Sequence, residues 1–316
     1  METKRRLLFL DQFRGLAIVL MVFANALANY RRVPPYLQHA PTDGFMLPDI
    51  VMPMFFFAMG YAAELSFWSR VERDGASKTI SHLLFRNMVL IGYGVIGTLL
   101  VRDHPWDILE ALGAAGLLAI PLLFLRPAVR LTLALVSLVA YQAGITSFLG
   151  QTGVDSYLHS ALAGALATFS WIFVLVVGSC LSAWLKGREY ASRIVWLAVA
   201  GAILIAAGAA LNVFIPFNKH LGSISYVLLS TGICTYGLML LMVLSESFHL
   251  SIPPLEAMGR NALVLYMLSC VLIVVENIIL PPEVSLLVCA GGFVAVMLLT
   301  YLTGAILDRR KIYVKL

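Results

Sequence analysis

The chain has 316 residues, of which 60% are hydrophobic and only 12% charged, and its mean hydropathy is +0.90. A soluble domain carries about 25% charged residues, so this composition excludes an ordinary soluble fold. The net charge of +5 is accounted for by loop lysines and arginines, and no basic cluster is interleaved with aromatics as nucleic-acid recognition requires.

Apolar runs separated by charged or Pro/Gly-rich breaks predict ten spans. They lie near 8–28, 46–68, 82–101, 108–125, 131–149, 161–185, 194–215, 223–244, 259–280 and 284–306. About 20 apolar residues suffice to cross a bilayer as a helix, and lipid offers no partner for backbone polar groups outside a helix or closed barrel. The expected fold is therefore an all-α, multi-pass transmembrane helical bundle, with residues 1–316 forming one integral-membrane domain. The start imitates a cleavable signal peptide, with Lys4, Arg5 and Arg6 before an apolar stretch and Ala26-Leu27-Ala28 after it. Asp11 and Arg14 interrupt that stretch and a second span follows at once, so retention as the first span is expected. With the N-terminus inside, sixteen of the 22 lysines and arginines fall in cytoplasmic segments and four on the opposite face. That bias puts both termini in the cytoplasm. No glycosylation sequon occurs, and a prokaryotic plasma (inner) membrane is the expected location.

Cys180, Cys234, Cys270 and Cys289 all lie within apolar runs, without CxxC or His spacing. They read as small buried hydrophobes, and neither a disulfide framework nor a metal site is expected.

Ionisable groups inside a membrane are expensive and mark function by default. Here they form two sets. The outer set is Asn25 at the end of the first span, His39 in the short linker, Asp49 at the start of the second span, and Asn218 with Lys219 after the seventh. The inner set is Asp11, Arg14, Arg86, Arg260 and Asn261, near the cytoplasmic ends of spans one, three and nine. Glu64, Glu110, Glu246 and Glu276 sit near span ends and read as snorkelling or helix-end residues. Imidazole suits proton transfer near neutrality, and a neighbouring carboxylate would hold its tautomer and stabilise its cation. His39 is therefore the expected base, Asp49 its orienting acid, and Asn25 a hydrogen-bond donor.

At these residues the chain resembles the heparan-alpha-glucosaminide N-acetyltransferases and their shorter bacterial relatives, within a wider group of membrane acyltransferases. The likeness is carried by Leu10-Asp11-x-Phe13-Arg14-Gly15 and by His39-Ala40, Gly44, Asp49 and Pro53-x-Phe55-x-Phe57. It continues in Asn218-Lys219-x-Leu221-x-Ser223-x-Ser225-Tyr226-Val227, Gly259-x-Asn261-Ala262 and Tyr266. The resemblance implies transfer of an acetyl group from cytoplasmic acetyl-CoA, the co-substrate, to an amino sugar on the other side. In it the active-site histidine matches His39, the asparagine Asn25 and the acid Asp49. Two tryptophans usual in the family are replaced, by Pro41-Thr42-Asp43 after the His-Ala pair and by Gly222 after the Asn-Lys pair. That leaves the acceptor open between an amino sugar and a sugar hydroxyl.

Acyl transfer from a thioester needs a base, an oxyanion donor and positioned substrates. Arg14 and Arg260, with Asn261 nearby, are the expected contacts for coenzyme A. Asn218 and Lys219 are expected at the acceptor. An acetyl-His39 intermediate and direct attack both remain open, as does a homodimer. The alternative reading is a secondary transporter of a small sugar or lipid-linked precursor. Such proteins often show broken helices at the midplane, whereas the polar groups here cluster at span ends.

Overall fold

Apolar sequence that must satisfy its own backbone has one local solution, and among the described residues the computed structural model holds eleven α-helices and no strand. The described residues are 7–101, 106–148 and 164–314. The helices are α1 (Leu8–Leu27), α2 (Val51–Asp74), α3 (Ala76–Val101), α4 (Ile108–Leu122), α5 (Pro127–Phe148) and α6 (Thr168–Leu185). They continue with α7 (Tyr190–Leu211), α8 (Ile224–Met242), α9 (Pro253–Arg260), α10 (Ala262–Ile279) and α11 (Leu286–Arg309). Among the described residues, nine segments have the length and hydropathy to cross a membrane. The apolar α4 is shorter, at 15 residues, or roughly 22 Å of helix. The protein is an integral, multi-pass, all-α membrane protein. Lys4, Arg5, Arg6, Arg102 and Lys315, counted above, lie outside the described residues.

The predicted ninth span, 259–280, needs correction. Its helix is interrupted at Asn261, whose backbone (φ −123, ψ 35) is not helical. A short amphipathic helix, α9, precedes the break and α10 alone forms the span. The Asn261 side chain explains the break. Its Nδ2 donates to the Ile312 carbonyl at 3.1 Å and its Oδ1 accepts from Val314 N at 3.2 Å, so it is committed to the C-terminal segment. The fifth helix begins at Pro127 rather than near 131, because proline at the first helical position lacks only an N–H that would be unpaired anyway.

By packing, the chain falls into two compact units. The first comprises Met1–Ala40, Met46–Met54 and Gly237–Lys315; the second comprises Pro41–Phe45 and Phe55–Tyr236. In the first, α1 packs against α9, α10 and α11 and against the 3-10 turn Leu47–Ile50. Gly15 and Gly259 set the α1/α9 crossing: a Cβ on Gly15 would run into the Leu255 carbonyl, and one on Gly259 into the Asp11 carbonyl. Because these neighbours are backbone, Gly259→Val is expected to lower stability by at least the ~1–3 kcal/mol of ordinary overpacking. A thermal melt in detergent checks this.

In the second unit α3 packs on α4, and α6 on α4 and α5. Gly60 and Gly178 bring α2 against α6. Its interior includes the Phe56–Trp171–Tyr226 ring cluster and the Phe67, Leu83, Ile120 and Leu123 cluster. The surface of α7 is mostly exposed and apolar, as a lipid-facing helix requires.

Three glutamates expected at the interface are buried instead. Glu64 pairs with Arg130, whose guanidinium also donates to Ser179 Oγ and the Leu125 carbonyl. Glu276 accepts from Tyr30. Glu110 accepts from Thr98 Oγ1 at 2.8 Å and from Asp107 N at the start of α4, so it keeps its helix-end role while losing contact with water.

Candidate active site

The linker between α1 and the second span is short, polar and proline-rich, and in the first unit it is pinned at several points. Tyr30 is buried with Leu27, Val33 and Cys289, and its hydroxyl donates to Glu276 Oε1 at 3.1 Å. Burial first, then the Glu276 carboxylate, push the Tyr30 phenol above the usual tyrosine range. Its neutral donor form is thus favoured by folding. That contribution is complete below the ordinary tyrosine range and is lost only as pH rises through the raised value. Arg31 N donates to the Pro282 carbonyl. Pro34 and Pro35 lead into a 3-10 turn, Pro35–Leu37. Gln38 then folds back, its Nε2 donating to the Tyr30 carbonyl at 2.9 Å and the Val33 carbonyl at 3.3 Å.

This anchoring delivers His39. Its Nδ1 lies 2.8 Å from Asp49 Oδ1. The His39 side chain is 31% exposed, while that of Asp49 is 0% exposed. Asp49 sits in the Leu47–Ile50 turn, after Pro48 and just before α2. Its other oxygen, Oδ2, accepts from Met46 N at 2.9 Å and Ala40 N at 3.3 Å. The buried carboxylate is therefore oriented by two backbone N–H groups. A carboxylate only accepts, so Nδ1 carries the proton and Nε2 is left as the basic nitrogen.

Asn25 lies half-buried near the end of α1, which packs against the turn bearing Asp49. Its side chain is not hydrogen-bonded to His39 or Asp49. The structure joins the histidine and the acid directly, and among the described residues the Asn25 side chain makes no hydrogen bond.

The remaining outer residues belong to the second unit. Asn218 Nδ2 donates to Asp43 Oδ1 at 2.9 Å, its Oδ1 accepts from Leu221 N at 2.8 Å, and its own N–H donates to Ser223 Oγ at 3.0 Å. Gly44 N donates to the Phe217 carbonyl at 2.7 Å. Asn218 thus staples the 41–45 segment to the loop before α8. Lys219 is buried beside it. Gly222 has φ +59, and a Cβ there would meet the Trp171 ring of α6 at 3.3 Å. An aromatic face does stand at that loop, but it comes from a helix the sequence reading did not connect with it.

Of the inner residues, Arg260 donates through one nitrogen to both Asp308 oxygens at 2.8 Å and through another to Glu256 Oε2 at 3.2 Å. It also lies 3.7 Å from Asp11. The Asp308 hydrogen bonds, then that aspartate's charge and those of Asp11 and Glu256, hold the guanidinium pKa above its ordinary value against the burial that would lower it. Arg14 stands 3.8 Å from Asp11. Gln12 donates to Glu256 Oε1 and the Leu250 carbonyl. Sequence reasoning missed Gln12, Glu256 and Asp308. Only Glu256, four residues before Arg260, had a readable spacing.

A helical, multi-pass membrane protein with a buried-acid–histidine pair at the entry to its second span is a restricted class. The sequence profile for "Heparan-alpha-glucosaminide N-acetyltransferase, catalytic" matches residues 6–197, and the chain belongs to that family. The Mus musculus heparan-alpha-glucosaminide N-acetyltransferase is 40% identical over 100 residues, covering 30% of this chain and 15% of that protein. The Homo sapiens protein of the same name is 38% identical over 93 residues, 29% of this chain and 13% of its own length. The matched stretch is thus a small part of either relative. The profile match includes Arg14, Asn25, His39 and Asp49, and ends before Asn218 and Arg260.

Proposed function

We propose that the protein is an acetyltransferase that moves an acetyl group from cytoplasmic acetyl-CoA to an amino sugar or sugar hydroxyl on the opposite side of the membrane. The observation carrying this reading is the 2.8 Å His39–Asp49 contact, made to a carboxylate fixed by two backbone N–H groups. His39 Nε2 removes the proton of the acceptor amine or hydroxyl as the acceptor attacks the thioester carbonyl. Asp49 holds the tautomer and stabilises the imidazolium. Asn25 Nδ2 donates to the oxyanion, a role worth about 10²–10³ in rate. Collapse of the tetrahedral species breaks the C–S bond, and the coenzyme A thiolate receives a proton. The acceptor's identity and the choice between direct attack and a transient acetyl-His39 are separate questions within the same chemistry.

The excess of lysine and arginine on one side supports a cytoplasmic N-terminal end for α1. On that side Arg14 is our candidate for the donor's phosphates. Arg260 already satisfies Asp308, Glu256 and Asp11, so its part is to organise that cluster. Asn261 holds the C-terminal segment. On the other side, Lys219 is our candidate for acceptor recognition, with Asn218 shaping its loop.

The test is incubation of the purified protein with labelled acetyl-CoA and a panel of amino sugars and polyols. Acetylated product is expected, and it should vanish in a folded His39→Ala variant. Unaltered turnover in that variant would remove His39 from the mechanism.

A further inference from the structure

Glu276 stands three residues before the end of α10 and is only 6% exposed. Burying a carboxylate is expensive unless it is paired and hydrogen-bonded. Among the described residues its side chain takes one hydrogen bond, from the Tyr30 hydroxyl at 3.1 Å, and its second oxygen, Oε2, takes none. Gly292 of α11 makes room for it, since a Cβ there would run into Oε1, the oxygen that accepts from Tyr30. Exchanging a buried charge for a well-packed apolar side chain is often neutral or stabilising, so stability alone does not account for this carboxylate.

What the carboxylate holds is one end of the loop that carries the histidine. The Tyr30 carbonyl accepts from Val33 N at 3.3 Å and from Gln38 Nε2 at 2.9 Å, which closes residues 30–38 onto Tyr30. Gln38 is the neighbour of His39 in the chain. Contacts therefore run from Glu276 to Tyr30, to Gln38 and on to His39, all within the first unit. Asp49 holds the His39 ring and the Ala40 N–H that follows it. The backbone that precedes the ring is referenced to α10 instead.

We propose that Glu276 is a positioning residue for the His39 base, acting through Tyr30 and Gln38. The inference rests on the reading of His39 as the base, and extends it to a helix beyond the profile-matched residues 6–197. Misplacing a reacting group by about 1 Å can cost about 10²-fold in rate, so this tether acts on turnover rather than on substrate affinity.

Steady-state kinetics of the purified protein, with labelled acetyl-CoA and an acceptor from the panel, test this beside hydrogen exchange at the Ala40 amide. Tyr30→Phe, which removes one oxygen atom, is expected to lower kcat at least about tenfold. KM for acetyl-CoA should stay unchanged, and exchange at Ala40 should quicken. Glu276→Leu should behave alike, while Glu276→Gln, which keeps an oxygen to accept from the phenol, should recover most of the loss. Gln38→Leu cuts the same path nearer His39. The double variant Tyr30→Phe with Gln38→Leu should lose no more than the worse single one, as links in series do. Thermal melts identify any variant that fails to fold, and the half-buried Gln38 carries the test where Tyr30→Phe does not fold.

Unchanged kcat in folded Tyr30→Phe or Gln38→Leu overturns the proposal. So does a Glu276→Gln that recovers no turnover, or a double variant whose losses multiply, because both mark a merely structural role. The two readings fail separately. Product formed at the parent rate by folded Tyr30→Phe removes the tether and keeps the transferase. With no product from the parent on any acceptor, the transferase reading falls and exchange at Ala40 decides the tether: faster exchange in Tyr30→Phe upholds it, and unchanged exchange overturns it.

Discussion

Asp49→Asn is expected to reduce acetyl transfer about 10⁴-fold, the scale seen when an orienting aspartate is exchanged for asparagine in a Ser-His-Asp triad, with little loss of folding. The reason lies in the two backbone donors behind the carboxylate. Ala40 N and Met46 N both point at Oδ2, so an asparagine must turn its carbonyl oxygen toward them. Its NH₂ group then faces His39 Nδ1. Nδ1 becomes the acceptor, and the ring proton moves to Nε2, the nitrogen that should take the acceptor's proton. The imidazole stays in place as the wrong tautomer. Initial rates with saturating acetyl-CoA and acceptor, together with a melt, check this. A drop of less than tenfold with unchanged stability would show that Asp49 does not set the protonation of His39. Since the acceptor's KM should move far less than kcat, the split between them separates this effect from a general loosening of the linker.

How far the sequence exposed this arrangement depends on the kind of information involved. The spans were legible because hydropathy over about 20 residues is a strong, local signal; α3 and α6 end at their expected C-terminal bounds and α1 one residue short of its own. The His39–Asp49 relation was legible because ten residues and two prolines leave the linker few paths. The buried partners were not. Arg130 and Glu64 are 66 residues apart in the chain, and nothing in either helix's periodicity says that its charge faces the other. Asn261 looked like a ligand contact because it stands beside Arg260 in an apolar context. In the structure the same polarity breaks a helix and ties down the C-terminal segment. The division into two units was hidden for a further reason. Each is assembled from separated stretches of chain, so no composition shift marks a boundary. The Trp171 face against Gly222 belongs to the same category of long-range contact.

The second large effect concerns stability. Arg130 is 2% exposed and the Glu64 side chain 8%, so replacing the arginine by methionine leaves an ionised carboxylate in an apolar interior without its counter-charge. Breaking a buried pair in this one-sided way costs about 3–5 kcal/mol, and Arg130→Met should melt about 10 °C or more below the parent in detergent. Arg130→Met combined with Glu64→Leu should recover most of that loss, because the penalty arises from the stranded charge rather than from missing attraction. Ser179 Oγ still bonds the Val176 carbonyl of its own helix, so it is not orphaned when the guanidinium goes. The exposed Arg73–Asp74 pair supplies the contrast: its 2.7 Å contact is as short as many buried ones, yet it lies in water, and Arg73→Met should leave the melting temperature where it was. Equal shifts for Arg130→Met and Arg73→Met would mean that Glu64 accepts a proton or finds water when its partner is removed, and the double variant would then show no recovery.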